Sequence, residues 1–144
     1  MRLLFLTFIF SILLCGLAAA QSVPPGWKIV KDSKGACQMA VPPDWRVSND
    51  MAFHNNTPPD QAGVASSTLG ISPINASTQK MLHVDKMFEN TNQRIFFSVG
   101  GGRSKDFRIN VSRPGGACSA TVTFSPPITE DTAKKIALSV GPAK

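Results

Sequence analysis

The chain has 144 residues, 15 of them basic and 9 acidic, for a net charge of +6, and 42% of it is hydrophobic, with no tyrosine. That composition excludes a disordered polar segment, and the length suits one domain with one core but is too short for two. The basic residues are spread along the chain without interleaved aromatic and basic clusters, which argues against nucleic-acid binding.

At the N-terminus, Arg2 precedes an uncharged apolar run from Leu3 to Leu14, and Ala18-Ala19-Ala20 sets small residues before Gln21. This is the pattern of a secretory signal. The expectation is a signal peptide over residues 1–20, a mature domain over 21–144, and a periplasmic or extracellular location. Cys15 follows Leu14, whereas a lipobox places Gly, Ala or Ser there, so lipidation is not expected. No later stretch is long enough to span a bilayer. Loss of Arg2 leaves 14 basic residues, a charge of about +5, enough for weak attraction to anionic surfaces.

The mature chain begins with two strand-like runs. Trp27 to Lys31 has an imperfect two-residue period that suits an edge or half-buried strand. Asp32-Ser33-Lys34-Gly35 is turn chemistry. Cys37, Met39 and Val41 then share one strand face, with Gln38 and Ala40 on the other. Pro42-Pro43 ends this strand because neither nitrogen can donate to a ladder. Trp45 and Val47 are expected to return apolar surface to the same core, with Trp45 as a packing anchor.

From Ser48 to Gly63 the sequence is polar and broken, with Met51-Ala52-Phe53 as a short strand and Asn55 to Asp60 as a loop. Val64 to Ile74 reads as a strand interrupted by Gly70 and ended near Pro73. Asn75-Ala76-Ser77 offers caps for a helix over Thr78–Phe88, with Met81, Leu82 or Val84, and Phe88 on its apolar side and Met81 and Met87 as core filler.

Gln93 to Gly100 holds the run Ile95-Phe96-Phe97-Ser98-Val99, a well-buried strand. Gly100 to Lys105 reads as a flexible connection. Phe107, Ile109 and Val111 alternate with Arg108, Asn110 and Ser112 in a half-buried strand. Arg113-Pro114-Gly115-Gly116 is a turn, and Ala117 to Phe124 is the next strand, stopped by Pro126-Pro127. Thr129 is an N-cap with Glu130 and Asp131 in the first turn. Ala133, Ile136, Ala137 and Val140 form one helical face, and Gly141-Pro142 terminates the helix.

With Cys15 removed, Cys37 and Cys118 are an even pair in an exported chain, and each lies on the apolar side of its strand, so a disulfide between them is expected. Neither belongs to a CxxC, and neither has a basic neighbour to activate it. A thiol-redox protein using Cys37 and Cys118 is the alternative.

Signals for catalysis are sparse. His54 falls in the polar loop and His83 in the expected helix, where Asp85, two residues on, points elsewhere. There is no GxSxG elbow, and two histidines without a carboxylate cluster do not make a zinc site. Gly100-Gly101-Gly102-Arg103 lacks the lysine and hydroxyl residue of a phosphate loop. No cofactor is expected. Arg94, Arg103, Lys105, Arg108 and Arg113 fall close together in sequence and are the candidate binding residues, either as a basic patch for a protein or anionic envelope component or as a solvated sheet face. Sequons occur at Asn55, Asn75 and Asn110.

Five to seven strand-like runs with a middle and a C-terminal helix predict a single α+β domain, an antiparallel sheet covered by those helices. Val41-Pro42-Pro43-Asp44-Trp45 and the closing segment Ala133 to Val140 resemble the PsbP-like family. That resemblance implies an antiparallel sheet sandwiched by helices and a role as a small exported binding or assembly factor, and it carries over no functional residues. The expectation is therefore a non-enzymatic exported binding module, with a small envelope hydrolase using His54 or His83 as the alternative.

Overall fold

The computed structural model describes residues 23–54 and 60–144. The expected signal peptide, Cys15 and the Asn55 sequon lie outside the described residues. The fold is α+β, mostly antiparallel sheet with two helices. Strands β1 (Lys28–Lys31) and β2 (Cys37–Val41) form the predicted hairpin, which β10 (Gly141–Pro142) joins on the far side of β2. A larger sheet has the order β3-β4-β5-β9-β8-β7-β6, from β3 (Arg46–Ser48), β4 (Met51–Phe53), β5 (Gln61–Ser67), β9 (Gly116–Phe124), β8 (Ser104–Arg113), β7 (Arg94–Gly101) and β6 (Val84–Asn90).

The hairpin turn is built by Asp32. Its carboxylate accepts hydrogen bonds from the Ala36 and Cys37 amides at 2.8 Å each and from the Ser66 hydroxyl at 2.6 Å. Every residue of β2 is buried, because β2 meets β5 and β9 of the large sheet and also helix α2 (Glu130–Leu138). Where β10 stops, Ser139 Oγ accepts from the Ala40 amide at 2.7 Å and continues the ladder with a side chain.

Alternation along β7, β8 and β9 directs Phe96, Phe107, Ile109, Val122 and Phe124 into one core, completed by Trp45, Met39 and the Ala133, Ile136 and Ala137 face of α2. A row of rings crosses it: Phe88 stacks on Phe96 at 4.7 Å, Phe96 meets Phe107 edge to face at 5.4 Å, and Phe107 lies tilted against Phe124 at 5.1 Å. Helix α2 begins as predicted, with Thr129 accepting from the Thr132 amide.

Several expectations are corrected. The helix over Thr78–Phe88 is only one turn and a half, α1 (Ala76–Met81), capped by Asn75. Its end is set by Leu82 and by His83, whose φ of 54° is left-handed. Val84–Asn90 then becomes β6, because pairing with β7 satisfies backbone groups that the open border of β7 would otherwise leave unpaired. Two register irregularities interrupt β6, at Val84/Lys86 and Met87/Glu89. Met81 is 70% exposed and is not core filler, and Val47 is 39% exposed on the border strand β3 rather than in the core. The strand expected over Val64–Ile74 starts and ends earlier, as β5. The Gly100–Lys105 connection is a tight hairpin, with Gly101 opposite Ser104 and the turn formed by Gly102-Arg103. Strands β3, β6 and β10 raise the count of described strands to ten. Among the described residues no helix is long and apolar enough to cross a membrane.

Candidate functional site

The face of the large sheet turned away from the core carries the most distinctive surface. Strand register places Met51, Gly63, Thr121, Arg108 and Phe97 in one cross-strand row. Ala65, Ser119, Asn110 and Ile95 form the next row. Over β7 this face is covered, and Ile95 and Phe97 are buried. Ile74 and Leu82, which flank α1, line a depression of about 270 Å³ with Arg108, Asn110, Ser119 and Thr121. Over β5 and β9 the face is open. A second depression of about 300 Å³ is lined there by Asp50, Met51, Gln61, Gly63, Ala65 and Thr123, and it shares Ser119, Ala120 and Thr121 with the first.

The two depressions adjoin over β9 and make one trough, running about 16 Å along β5 and β9 at ~3.3 Å per residue and widening across β8 toward Ile74 and Leu82. Its floor is shallow because Gly63, Ala65, Ser119 and Thr121 are small. A side chain at position 63 would run into the Met51 sulfur, so glycine is what lets that thioether lie against the sheet. Polar groups border the floor: Ser119 Oγ donates to Asn110 Oδ1 at 2.6 Å, and Arg108 Nη2 lies 3.8 Å from Asp106 Oδ2. Arg108 Nε is buried without a hydrogen-bond partner among the described residues. At the rim the Arg46 guanidinium sits 5.5 Å over the Phe53 ring. The lining holds neither histidine nor cysteine. Besides shape and hydrogen bonding, it offers a ligand one guanidinium, Arg108, and one carboxylate, Asp50.

No protein-family model matches the chain, and no curated protein matches it.

The five candidate binding residues fall in three places. Arg94 and Arg113 border one depression with Val111 and Glu89, and Arg103 and Lys105 border another with Phe124, Ile128 and Glu130. Arg108 alone lies on the trough side of the sheet. Strand alternation turns only Arg108 to the trough side; the other four sit at opposite ends of β7 and β8, with Lys105 and Arg113 eight residues apart on one strand, about 26 Å at ~3.3 Å per residue. Most are also engaged internally. Arg94 pairs with Glu89, Lys105 with Glu130 at 3.6 Å, and Arg113 donates to the carbonyls of Ser67, Pro114 and Ala117.

Cys37 and Cys118 form the expected disulfide, with Cα atoms 5.5 Å apart and both residues fully buried. Burial denies a thiol or reductant access to either sulfur. Asp32 lies beside this bridge, since Ser66, its partner, is opposite Cys118 in register. Burial by itself pushes the Asp32 carboxyl up, but hydrogen bonds from Ser66, Cys37, Lys34 and Ala36 together outweigh it and hold the group below the ordinary range.

His54 rests against Trp45, with ring centroids 6.0 Å apart, and lies 3.6 Å from Asp44 and 3.8 Å from Asp60. Asp60 is committed elsewhere: its Oδ1 accepts from the Ser125 amide at 2.8 Å and the Ser125 hydroxyl at 3.0 Å. Ser125 therefore donates to the carboxylate and not to the imidazole, and no Ser-His-Asp relay forms. His83 is exposed at the end of α1. Among the described residues no group of three or more His, Cys, Asp or Glu side chains is placed to hold a metal ion.

The trough itself was missed from the sequence. Its trace is the spacing of small residues on alternate positions, Gly63 and Ala65 in one strand and Ser119 and Thr121 in another. That pattern means a groove only once the two strands are known to be neighbours.

Proposed function

We propose that the protein is an exported, non-enzymatic binding or assembly factor of the cell envelope, and that it receives an extended segment of a partner polypeptide in the trough over β5 and β9. The observation that carries this reading is the trough, open along two strands, floored by small residues and walled by Met51 on one side and Ile74 and Leu82 on the other. A narrow floor of that kind lets a ligand backbone lie close to the sheet, while the Ser, Thr, Asn and Gln side chains offer it donors and acceptors. The buried disulfide fits an oxidising compartment. The same reading takes residues 1–20 as the signal peptide and 21–144 as one domain in the manner of the PsbP-like family, its sheet covered by the middle and C-terminal helices.

The test is a selection of random displayed peptides against the protein, followed by affinity measurement with Thr121→Trp. Thr121 is exposed on the floor, so the indole fills the trough without touching the core. Selected peptides should lose at least about tenfold in affinity, roughly 1.4 kcal/mol. Peptides that bind Thr121→Trp as well as the parent would refute the assignment. Replacing His54 and His83 with Ala should leave peptide binding intact.

A further inference from the structure

On the core side of the large sheet, at its β6 border, two lysines far apart in sequence meet over one ring. Lys86 Nζ, from β6, lies 5.1 Å from the Phe88 centroid, and Lys134 Nζ, from α2, lies 4.7 Å from it. Phe96 stacks on Phe88 at 4.7 Å with planes inclined by 23°, so one face of the ring is taken and both ammonium groups approach the other. The two charges are thus within about 10 Å of each other, close enough to repel through water at low salt. The ring quadrupole attracts each ammonium and holds the pair in place.

The surrounding acids do not neutralise them. On α2, Asp131 pairs with Lys135 at 2.8 Å and Glu130 with Lys105 at 3.6 Å. On β6, Glu89 pairs with Arg94, and Asp85 lies against Gly100. Among the described residues, neither Lys86 nor Lys134 has a hydrogen bond or ion pair. Several other cations are engaged, Arg94, Lys105, Arg108 and Lys135 each facing a carboxylate and Lys28 and Arg113 donating to backbone carbonyls; what makes Lys86 and Lys134 informative is that the two converge on one ring.

We infer that Lys86 and Lys134, held over Phe88, form a binding site for a phosphate group. The match is one of charge and donors: two ammonium groups carry two charges and up to six N–H donors, and a phosphate carries up to two negative charges on oxygens that can bridge them. A single carboxylate would neutralise only one of the pair. The phosphate can belong to a soluble phosphorylated molecule or to a lipid headgroup, and the chemistry at the ring is the same in both.

The experiment is a titration with inorganic phosphate at constant ionic strength, following the lysine ε-methylene signals by NMR, with Lys86→Ala and Lys134→Ala for assignment and Lys80→Ala as a control on exposed α1. A saturable shift confined to the Lys86 and Lys134 signals is expected, with a dissociation constant in the millimolar range. Either single replacement should weaken binding at least about fivefold, and Lys80→Ala should not. Sedimentation with phosphatidic acid vesicles against phosphatidylcholine vesicles separates the sources. Sedimentation with the acidic vesicles that is lost in the double replacement identifies a headgroup site, and saturable phosphate binding without sedimentation identifies a soluble ligand. Shifts that spread over all lysines, fail to saturate, or survive both replacements overturn the inference.

Discussion

Replacing both bridge cysteines, Cys37→Ala with Cys118→Ala, removes a cross-link that spans 81 residues of sequence. The chain-entropy relation gives about 4.5 kcal/mol at 25 °C for a loop of that length. Alanine is the right replacement, because both positions are fully buried and a serine hydroxyl would need a partner there. For a domain whose whole stability is about 5–15 kcal/mol, the loss is a large share. With a urea slope of about 1.5 kcal/mol per molar, the unfolding midpoint should fall by about 3 M. The assay is urea unfolding followed by tryptophan fluorescence, since Trp45 is buried in the same core. Alkylation of the parent should label neither cysteine until it is unfolded and reduced. A midpoint drop below about 0.5 M, with the slope unchanged, would refute the view that the bridge restrains the unfolded chain.

Three further outcomes follow from the structure. Asp32 is held below the ordinary carboxyl range, so its contribution to stability is complete above about pH 4 and is lost as pH falls through its folded-state value. Urea midpoints measured from pH 7 to pH 2 should therefore fall more steeply for the parent than for Asp32→Asn, which should already be destabilised at pH 7 by about 1–3 kcal/mol. Gly116→Ala should prevent accumulation of folded protein or destabilise it by more than about 3 kcal/mol, because a Cβ there falls on the Ser67 carbonyl; thermal melting decides this. His83→Gly should raise the melting temperature by a few degrees, through relief of about 0.5–1 kcal/mol of left-handed strain, since His83 has a φ of 54°.

Much of the fold was legible because its signals are local. The Asp32–Gly35 turn, the proline stop after Val41, the alternation from Phe107 to Val111 and the Thr129 cap each act within a few residues, and the structure keeps all of them. The disulfide was legible because Cys37 and Cys118 each lie on the apolar side of a readable strand. The segment after Met81 was not, since the spacing of Met81, Val84 and Phe88 suits a helix as well as a strand. What decided it was non-local, the unpaired border of β7. The trough was illegible for the same reason: β5 and β9 become neighbours only when a chain segment that includes three other strands folds between them. The basic residues from Arg94 to Arg113 looked like one patch because sequence distance ignores both alternation, which turns Arg108 to the other face, and strand length, which carries Lys105 and Arg113 to opposite ends of β8.

The irregular border strand has a consequence for how the molecule behaves in a crowd. A seven-stranded sheet ending in a long, flat, regular strand would invite another chain to zip onto it and go on doing so. Here one end of the sheet is β6, put out of register twice within seven residues, and the other is β3, three residues long. Neither offers an unbroken run of donors and acceptors on which a copy could align. The large sheet is self-limiting at both ends, so neither of its borders offers a copy a template for edge-to-edge growth.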